Sequence, residues 1–273
     1  MKPENSLVDV RLLFYKDCIN EIIKDKNASI LVIGGGENDK RVFQENGFID
    51  VTISNIDERQ SESEYYPYKH CFQNAENLSY KDNEFDYVTA HATLHHFSSP
   101  HRGLTEMYRV AKNGVVIIES RDSWLMRLLI KFKITPDFET AAIYDHNCKY
   151  GGVNNTCIPN YIYRWTEREI EKTIKSFAPH VRHKILYRYG SDKPSATKRS
   201  KSFYKKIIIN ILLPIYNITV KFFPKQQNLF AFFITKPVIP DDLQPWIKFD
   251  EGVMSFNEAW AAERIKAGSG KKR

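Results

Sequence analysis

The segment Ile30-Leu31-Val32-Ile33-Gly34-Gly35-Gly36 limits the fold more than any other stretch of the chain. An unbroken branched apolar run predicts a strand buried on both faces. Glycines directly after it let the backbone turn sharply and pass close to a ligand. If a helix follows, its free N–H groups point at the same spot. A second apolar run, Val51 to Ile56, ends in Asp57, 23 residues after Gly34. A carboxylate at the end of the second strand, about 20 residues on, is where nucleoside-binding sheets hold a ribose.

The rest of the pattern alternates. Leu7 to Lys24 keeps helical spacing, and Lys40 to Asn46 reads as a helix closed by Gly47. His70 to Phe72 and Phe85 to Ala90 read as strands, and Arg102 to Val110 as a helix. Asn113-Gly114 reads as a turn before a strand at Val115 to Glu119. Strand–helix alternation is the mark of a parallel, doubly wound sheet. Residues 121–165 break it and read as an insertion or cap. Thr166 and Glu169 make a capping box for a helix to Phe177. Val181 to Tyr189 and Leu229 to Thr235 read as closing strands, with a helical apolar stretch from Phe203 to Phe223, bent at Pro214, between them. The expectation is an α/β, Rossmann-like, seven-stranded and mostly parallel sheet in a domain over 1–236. A Pro-rich tail, 237–273, follows. In it Ser255 and Glu258 form a second capping box, for a helix to Ala267 that Gly268 stops.

Apolar residues make up 42% and charged residues 27%, which excludes a disordered, collagenous or coiled-coil chain. No internal repeat argues for a solenoid. Cys18, Cys71, Cys148 and Cys157 form no CxxC pair, and Met1 to Asp9 does not read as a signal peptide, so reduced thiols and a cytoplasmic location are expected. The spacing of His146, Cys148 and Cys157 matches no common zinc pattern, and no metal is expected. The net charge of +7 is local: six cations and no acid lie between Lys193 and Lys206. That run precedes Ile207-Ile208-Ile209 and could rest on an anionic membrane to deliver a lipid-linked substrate. No run reaches the ~18 apolar residues of a membrane span.

A dinucleotide fingerprint would place glycine at position 39, where Asp39 stands and would repel a pyrophosphate. The turn therefore suits a cofactor without phosphate, such as S-adenosylmethionine. Residues 30–36 resemble the first motif of class I S-adenosylmethionine-dependent methyltransferases, and Asn55-Ile56-Asp57 the second. Asn74 to Val88 resembles their adenine loop and fourth strand, and Leu94-His95-His96-Phe97 with Glu106 to Gly114 continues the match, as in the UbiE/type-11 branch. The resemblance covers residues 28–120 in detail. It implies that Gly34, Gly35 and Gly36 approach the methionine part, that Asp57 accepts from both ribose hydroxyls and that Asn74 takes the adenine amino group. Ala75 would face the ring, and His91 would line the sulfonium side. The family usually has an acid where Val32 stands, glycine where Asn38 stands and Asp where Asn74 stands.

A hydroxyl acceptor needs a proton acceptor beside the methyl donor. The candidates are His91, His96, His146 and Asp145. Tyr144, Tyr150, Arg164 and Trp165 lie in an aromatic, amide-rich stretch that suits a polyhydroxylated ligand, and His95 joins them as a substrate-side residue. The leading reading is an O-methyltransferase for a sugar or surface-polysaccharide precursor, with a phosphorylated or lipid-linked acceptor or a non-catalytic cofactor-binding subunit as alternatives. A nicotinamide oxidoreductase is disfavoured by Asp39. An RNA substrate is disfavoured because Ala90-His91-Ala92-Thr93 offers no aromatic base pocket, and no nucleic-acid partner is expected.

Overall fold

The structure is a computed structural model that describes residues 9–192 and 214–269, with side chains to Arg264. Seven strands form one sheet in the order β3-β2-β1-β4-β5-β7-β6. They are β1 (Ile30–Ile33), β2 (Val51–Asn55), β3 (Lys69–Phe72), β4 (Phe85–His91), β5 (Ala111–Ser120), β6 (Lys184–Gly190) and β7 (Leu229–Thr235). The first five are parallel, and β7 runs antiparallel between β5 and β6. The order reverses between β1 and β4, and a crevice beyond the strand ends opens at such a switch point.

Alternation along each buried strand feeds two cores. Leu31 and Ile33 of β1, with Val115 and Ile117 of β5, join Leu104, Met107, Ile170 and Ile174 on one face. Those partners come from α3 (Pro100–Val110) and α6 (Glu167–Phe177), the latter with its Thr166–Glu169 capping box. Ile30 and Val32, with Val116 and Ile118, join Tyr15, Ile19, Val42 and Phe43 on the other face. These belong to α1 (Val10–Ile22) and α2 (Glu37–Glu45).

Three local expectations are corrected. Helix α2 starts at Glu37, directly after the glycines, because the Asp39 carboxylate accepts from the Gly36 N–H at 2.9 Å and closes its first turn. Asn113-Gly114 lies inside β5: an irregularity in register between Phe85 and Tyr87 absorbs the extra residue, and pairing resumes at Tyr87–Gly114. In the tail, Ser255 belongs to a hairpin of β8 (Ile247–Asp250) and β9 (Val253–Phe256). Its turn places Glu251 and Gly252 at φ 48° and 85°. Asn257, not Ser255, caps the last helix, accepting from the Trp260 N–H at 3.2 Å, and that helix passes through Gly268 to Ser269.

Between β5 and α6 the chain forms α4 (Trp124–Lys131), α5 (Thr140–Asp145) and a single turn at Val153–Asn155. Residues 214–222 are helical, and Tyr216 and Val220 pack on Met126 and Leu129 of α4. The basic run and the start of the apolar helix expected at 203–223 lie outside the described residues. No helix among the described residues is long and apolar enough to cross a membrane.

Candidate functional site

Gly34 has φ +61°, and a Cβ there would lie 2.0 Å from the Thr93 Oγ1, so both the conformation and the contact demand glycine. Asn55 braces the turn: its Nδ2 donates to the Gly35 carbonyl at 2.9 Å while its Oδ1 accepts from the Asp57 N–H at 3.0 Å. Gly34, Asp57, Asn74 and Ala75 line one cavity of about 340 Å³, within the range of ligand pockets. Gly35 and Gly36 do not line it. Gly35 lies against Ile53 and Val32 beneath the turn, and Gly36 caps α2.

The Arg59 guanidinium, not itself part of the lining, forks the carboxylate of the lining residue Asp57, with Nε and Nη2 at 2.6 and 2.5 Å. That donation holds Asp57 below the usual carboxylate range. Arg59 in turn lies over the Tyr150 ring, 3.1 Å from its centroid. The loop from His146 to Asn155 thus forms one wall of the cavity. His146 belongs to that wall, its Nδ1 donating to the Ala142 carbonyl and its ring facing Tyr150 at 4.6 Å. Asn74 shapes the opposite loop: its Oδ1 accepts from the Glu76 N–H at 2.9 Å. The buried Glu76 carboxylate accepts from the N–H and Oγ of Ser98 and the N–H of Ser99, tying this loop to the segment after β4.

A second cavity, of about 470 Å³, adjoins the first. Ala92 and His96 line both. His91, His95, Glu119, Glu139 and Arg164 line the second only. His91 is therefore not on the wall of the first cavity, where the resemblance placed it. As the odd-numbered partner of Tyr87 and Thr89 it faces α1, where its ring stacks on Tyr15 at 4.4 Å, and burial lowers its pKa.

The second cavity has an ionic floor. The buried Glu119, at the end of β5, accepts from the Leu94 N–H at 2.7 Å and from His95 Nδ1 at 2.8 Å. His95 Nε2 lies 3.3 Å from Glu139 Oε2, and His96 Nε2 lies 3.5 Å from the same oxygen. Burial opposes charge on His95, but the two carboxylates outweigh it and lift its pKa to about 10. The hydrogen bond from His95 draws Glu139 down to about 2. Burial, followed by the charge on His95, pushes His96 below the ordinary histidine range.

The substrate-side candidates divide. Arg164 and His95 line the second cavity, while Tyr150 lines the first. Trp165 is fully buried, edge-on to His101 and Tyr163 in the core, and reaches neither cavity. Tyr144 and Asp145 sit exposed on the outer end of α5 and line neither. Sequence reasoning alone does not single out Glu119, Glu139 or Thr93, and it gives Asn55, within the second motif, no role of its own. An acid directly after Val115-Val116-Ile117-Ile118, at the carboxyl end of a buried strand, is the available signal for Glu119.

Residues 33–118 match the family model described as a methyltransferase domain. Residues 33–118 thus form a methyltransferase domain of the type-11 kind, and the chain is an S-adenosylmethionine-dependent methyltransferase. Its cofactor is S-adenosylmethionine. No curated protein sequence matches the methyltransferase. Among solved structures it resembles the methyltransferase held by the Trm112 activator of Haloferax volcanii, at 11% identity and TM-score 0.53, over 84% of this chain and 91% of that one. It also resembles the [4+2]-cyclase SpnF, at 14% and 0.51 over 82% and 81%, and PH0226 from Pyrococcus horikoshii, at 13% and 0.50 over 83% and 90%. Likeness at this level reports the fold. Since a cyclase shares it, the methyltransferase's acceptor must be argued from its own cavity.

Proposed function

We propose that the enzyme moves the methyl group of S-adenosylmethionine to a hydroxyl of a small polar acceptor held in the second cavity. The observation that supports this is the junction at Ala92 and His96, where the two cavities meet. With the nucleoside on Asp57, Asn74 and Ala75 and the amino-acid arm at Gly34, the sulfonium would face that junction. The acceptor oxygen must approach the methyl carbon to ~3–3.5 Å in line with the C–S bond. As the O–C bond forms the C–S bond breaks, the sulfur keeps the electron pair, and the hydroxyl proton must leave. His96 and Glu139 are the ionisable groups placed to receive it.

The acceptor class is a sugar. The second cavity sets Asp9, Asp192 and Asn228 against Phe138 and Met126, a polar and apolar mixture that suits hydroxyls on a ring. A phosphorylated sugar fits the same walls, because Arg11 and Arg164 line them too. Four free cysteines accord with action in the reducing cytoplasm.

The test is release of S-adenosylhomocysteine over a panel of free sugars, sugar phosphates and nucleotide sugars. His96→Ala should lower kcat by roughly 10²–10⁴-fold, the usual worth of a proton-transfer group. Its affinity for S-adenosylhomocysteine should stay within a few-fold of wild type. Wild-type turnover in His96→Ala, or methylation of amines alone, would sink the reading.

A further inference from the structure

We propose that His95, His96 and Glu139 bind one divalent transition-metal ion, with Glu119 as the group that orients His95. Ion binding stands on its own geometry, while the ion's role rests on the acceptor reading above. The separations from Glu139 Oε2 to the two Nε2 atoms are 3.3 and 3.5 Å. Ligand atoms ~2.1 Å from a tetrahedral ion lie ~3.4 Å from one another. The ligand atoms of the three residues all fall within 4.8 Å of each other, and among the described residues no other His, Cys, Asp or Glu group of this kind occurs.

The surroundings fit as well. Glu119 takes the His95 Nδ1–H at 2.8 Å, which turns Nε2 toward Glu139. Its other oxygen is held by the Leu94 N–H at 2.7 Å, so the carboxylate cannot rotate away. A carboxylate behind the far nitrogen is the usual support of a metal-bound histidine. Two imidazoles and one carboxylate suit zinc, iron(II), cobalt or manganese better than magnesium or calcium, which prefer oxygen donors throughout. One dication would also balance the charges of Glu119 and Glu139.

The second cavity opens on His95, His96 and Glu139, which leaves coordination positions free on the acceptor's side. Three protein ligands with an open position is the pattern of catalytic metal sites, not structural ones. An acceptor hydroxyl bound there would be acidified, as metal-bound water is. With the ion bound its proton would pass to water in the open cavity; without the ion, His96 and Glu139 would receive it. The bare alternative is that Glu119, His95 and Leu94 only pin the loop after β4. That arrangement would hold no ion.

The experiment uses untagged full-length protein, stripped with a chelator and then equilibrated with zinc, cobalt(II) or manganese(II). Metal content is read by plasma mass spectrometry after excess ion is removed. The expected result is one retained equivalent of zinc or cobalt and visible cobalt bands. Glu139→Gln and His96→Ala should each weaken cobalt binding by at least ~100-fold, and Glu119→Gln by ~10–100-fold. Calorimetry with S-adenosylhomocysteine on each variant reports the folded cofactor cavity. Should a variant fail to fold, spin-echo spectroscopy of the copper(II)-loaded wild type counts its imidazole ligands: two support the site and none overturns it. No retained ion, or wild-type affinity in both Glu139→Gln and His96→Ala, overturns it too. If the wild type binds metal but not S-adenosylhomocysteine, the functional reading falls and the metal site stands.

Discussion

The Asp57 carboxylate carries the Arg59 guanidinium in a two-bond fork, at 2.6 and 2.5 Å, where ribose hydroxyls would bind. A ribose held by Asp57 would have to displace that fork. Arg59 is exposed, so water screens the pair and it is weak. Arg59→Ala should therefore tighten S-adenosylhomocysteine binding by a few-fold at most. Asp57→Ala removes two charge-assisted acceptors and should weaken it by roughly 100-fold or more. Calorimetry on the two variants checks the pair of signs; weaker binding by Arg59→Ala would mean that Arg59 holds the ligand itself.

Gly34 is constrained twice, by its φ of +61° and by the Thr93 Oγ1, which lies 2.0 Å from where a Cβ would stand. A left-handed non-glycine residue costs ~1–3 kcal/mol, and the collision adds displacement of the segment after β4. Gly34→Ala should lower unfolding free energy by about 2 kcal/mol or more and abolish measurable S-adenosylhomocysteine binding. Gly47→Ala, left-handed but with open space around it, should keep binding. Urea denaturation and calorimetry on the two alanine variants separate strain from collision.

Much of the sheet is legible because buried strands next to glycines and turns carry their signal locally. The elements from Ile30 to Asp57 show this, since a strand, a glycine bend and a strand-end acid each sit a short way apart. The site beyond them depends on neighbours distant in sequence. His95 and Glu119 meet because β4 and β5 are adjacent parallel strands, and Glu139 arrives from the start of α5 with no pattern to announce it. The side of His91 is legible in principle: alternation with Val88 and Ala90 in the core on the other face assigns it. Ser255 and Glu258 have the spacing of a capping box, but pairing with Lys248 draws Ser255 into a strand. Trp165 reads as a ligand platform only because an aromatic-rich stretch does not reveal which rings turn inward.

Glu76 ties down the loop that carries Asn74 and Ala75, a role that its sequence position does not suggest. It is buried and accepts from two backbone N–H groups and one hydroxyl, at 3.2, 2.7 and 2.9 Å. Glu76→Gln points an amide donor at some of those donors and should cost about 2 kcal/mol. The loop carrying Asn74 and Ala75 would loosen, and S-adenosylhomocysteine affinity should fall by roughly tenfold. Unchanged affinity together with lower stability would show that the loop does not read the adenine.

His183 predicts an acid-side weakness far from both cavities. Burial first, then the charges of His180, Lys175 and Lys236, lowers its pKa to about 4. The Tyr108 hydroxyl and Nε2 share a hydrogen bond of 2.9 Å, and Nδ1 is buried without a partner, so a proton added there would be unpaired. In the unfolded chain the ordinary value of ~6.5 returns. Between those values the unfolded state binds a proton that the folded state refuses, so stability is full above pH ~6.5 and declines as pH falls toward 4. Because the ring is only half-buried, the loss should be on the order of 1 kcal/mol. His183→Gln keeps an acceptor for Tyr108 and cannot titrate, so its unfolding free energy should fall less between neutral pH and pH ~5. Urea denaturation of wild type and variant at both pH values measures the difference, and parallel losses would remove His183 as the cause.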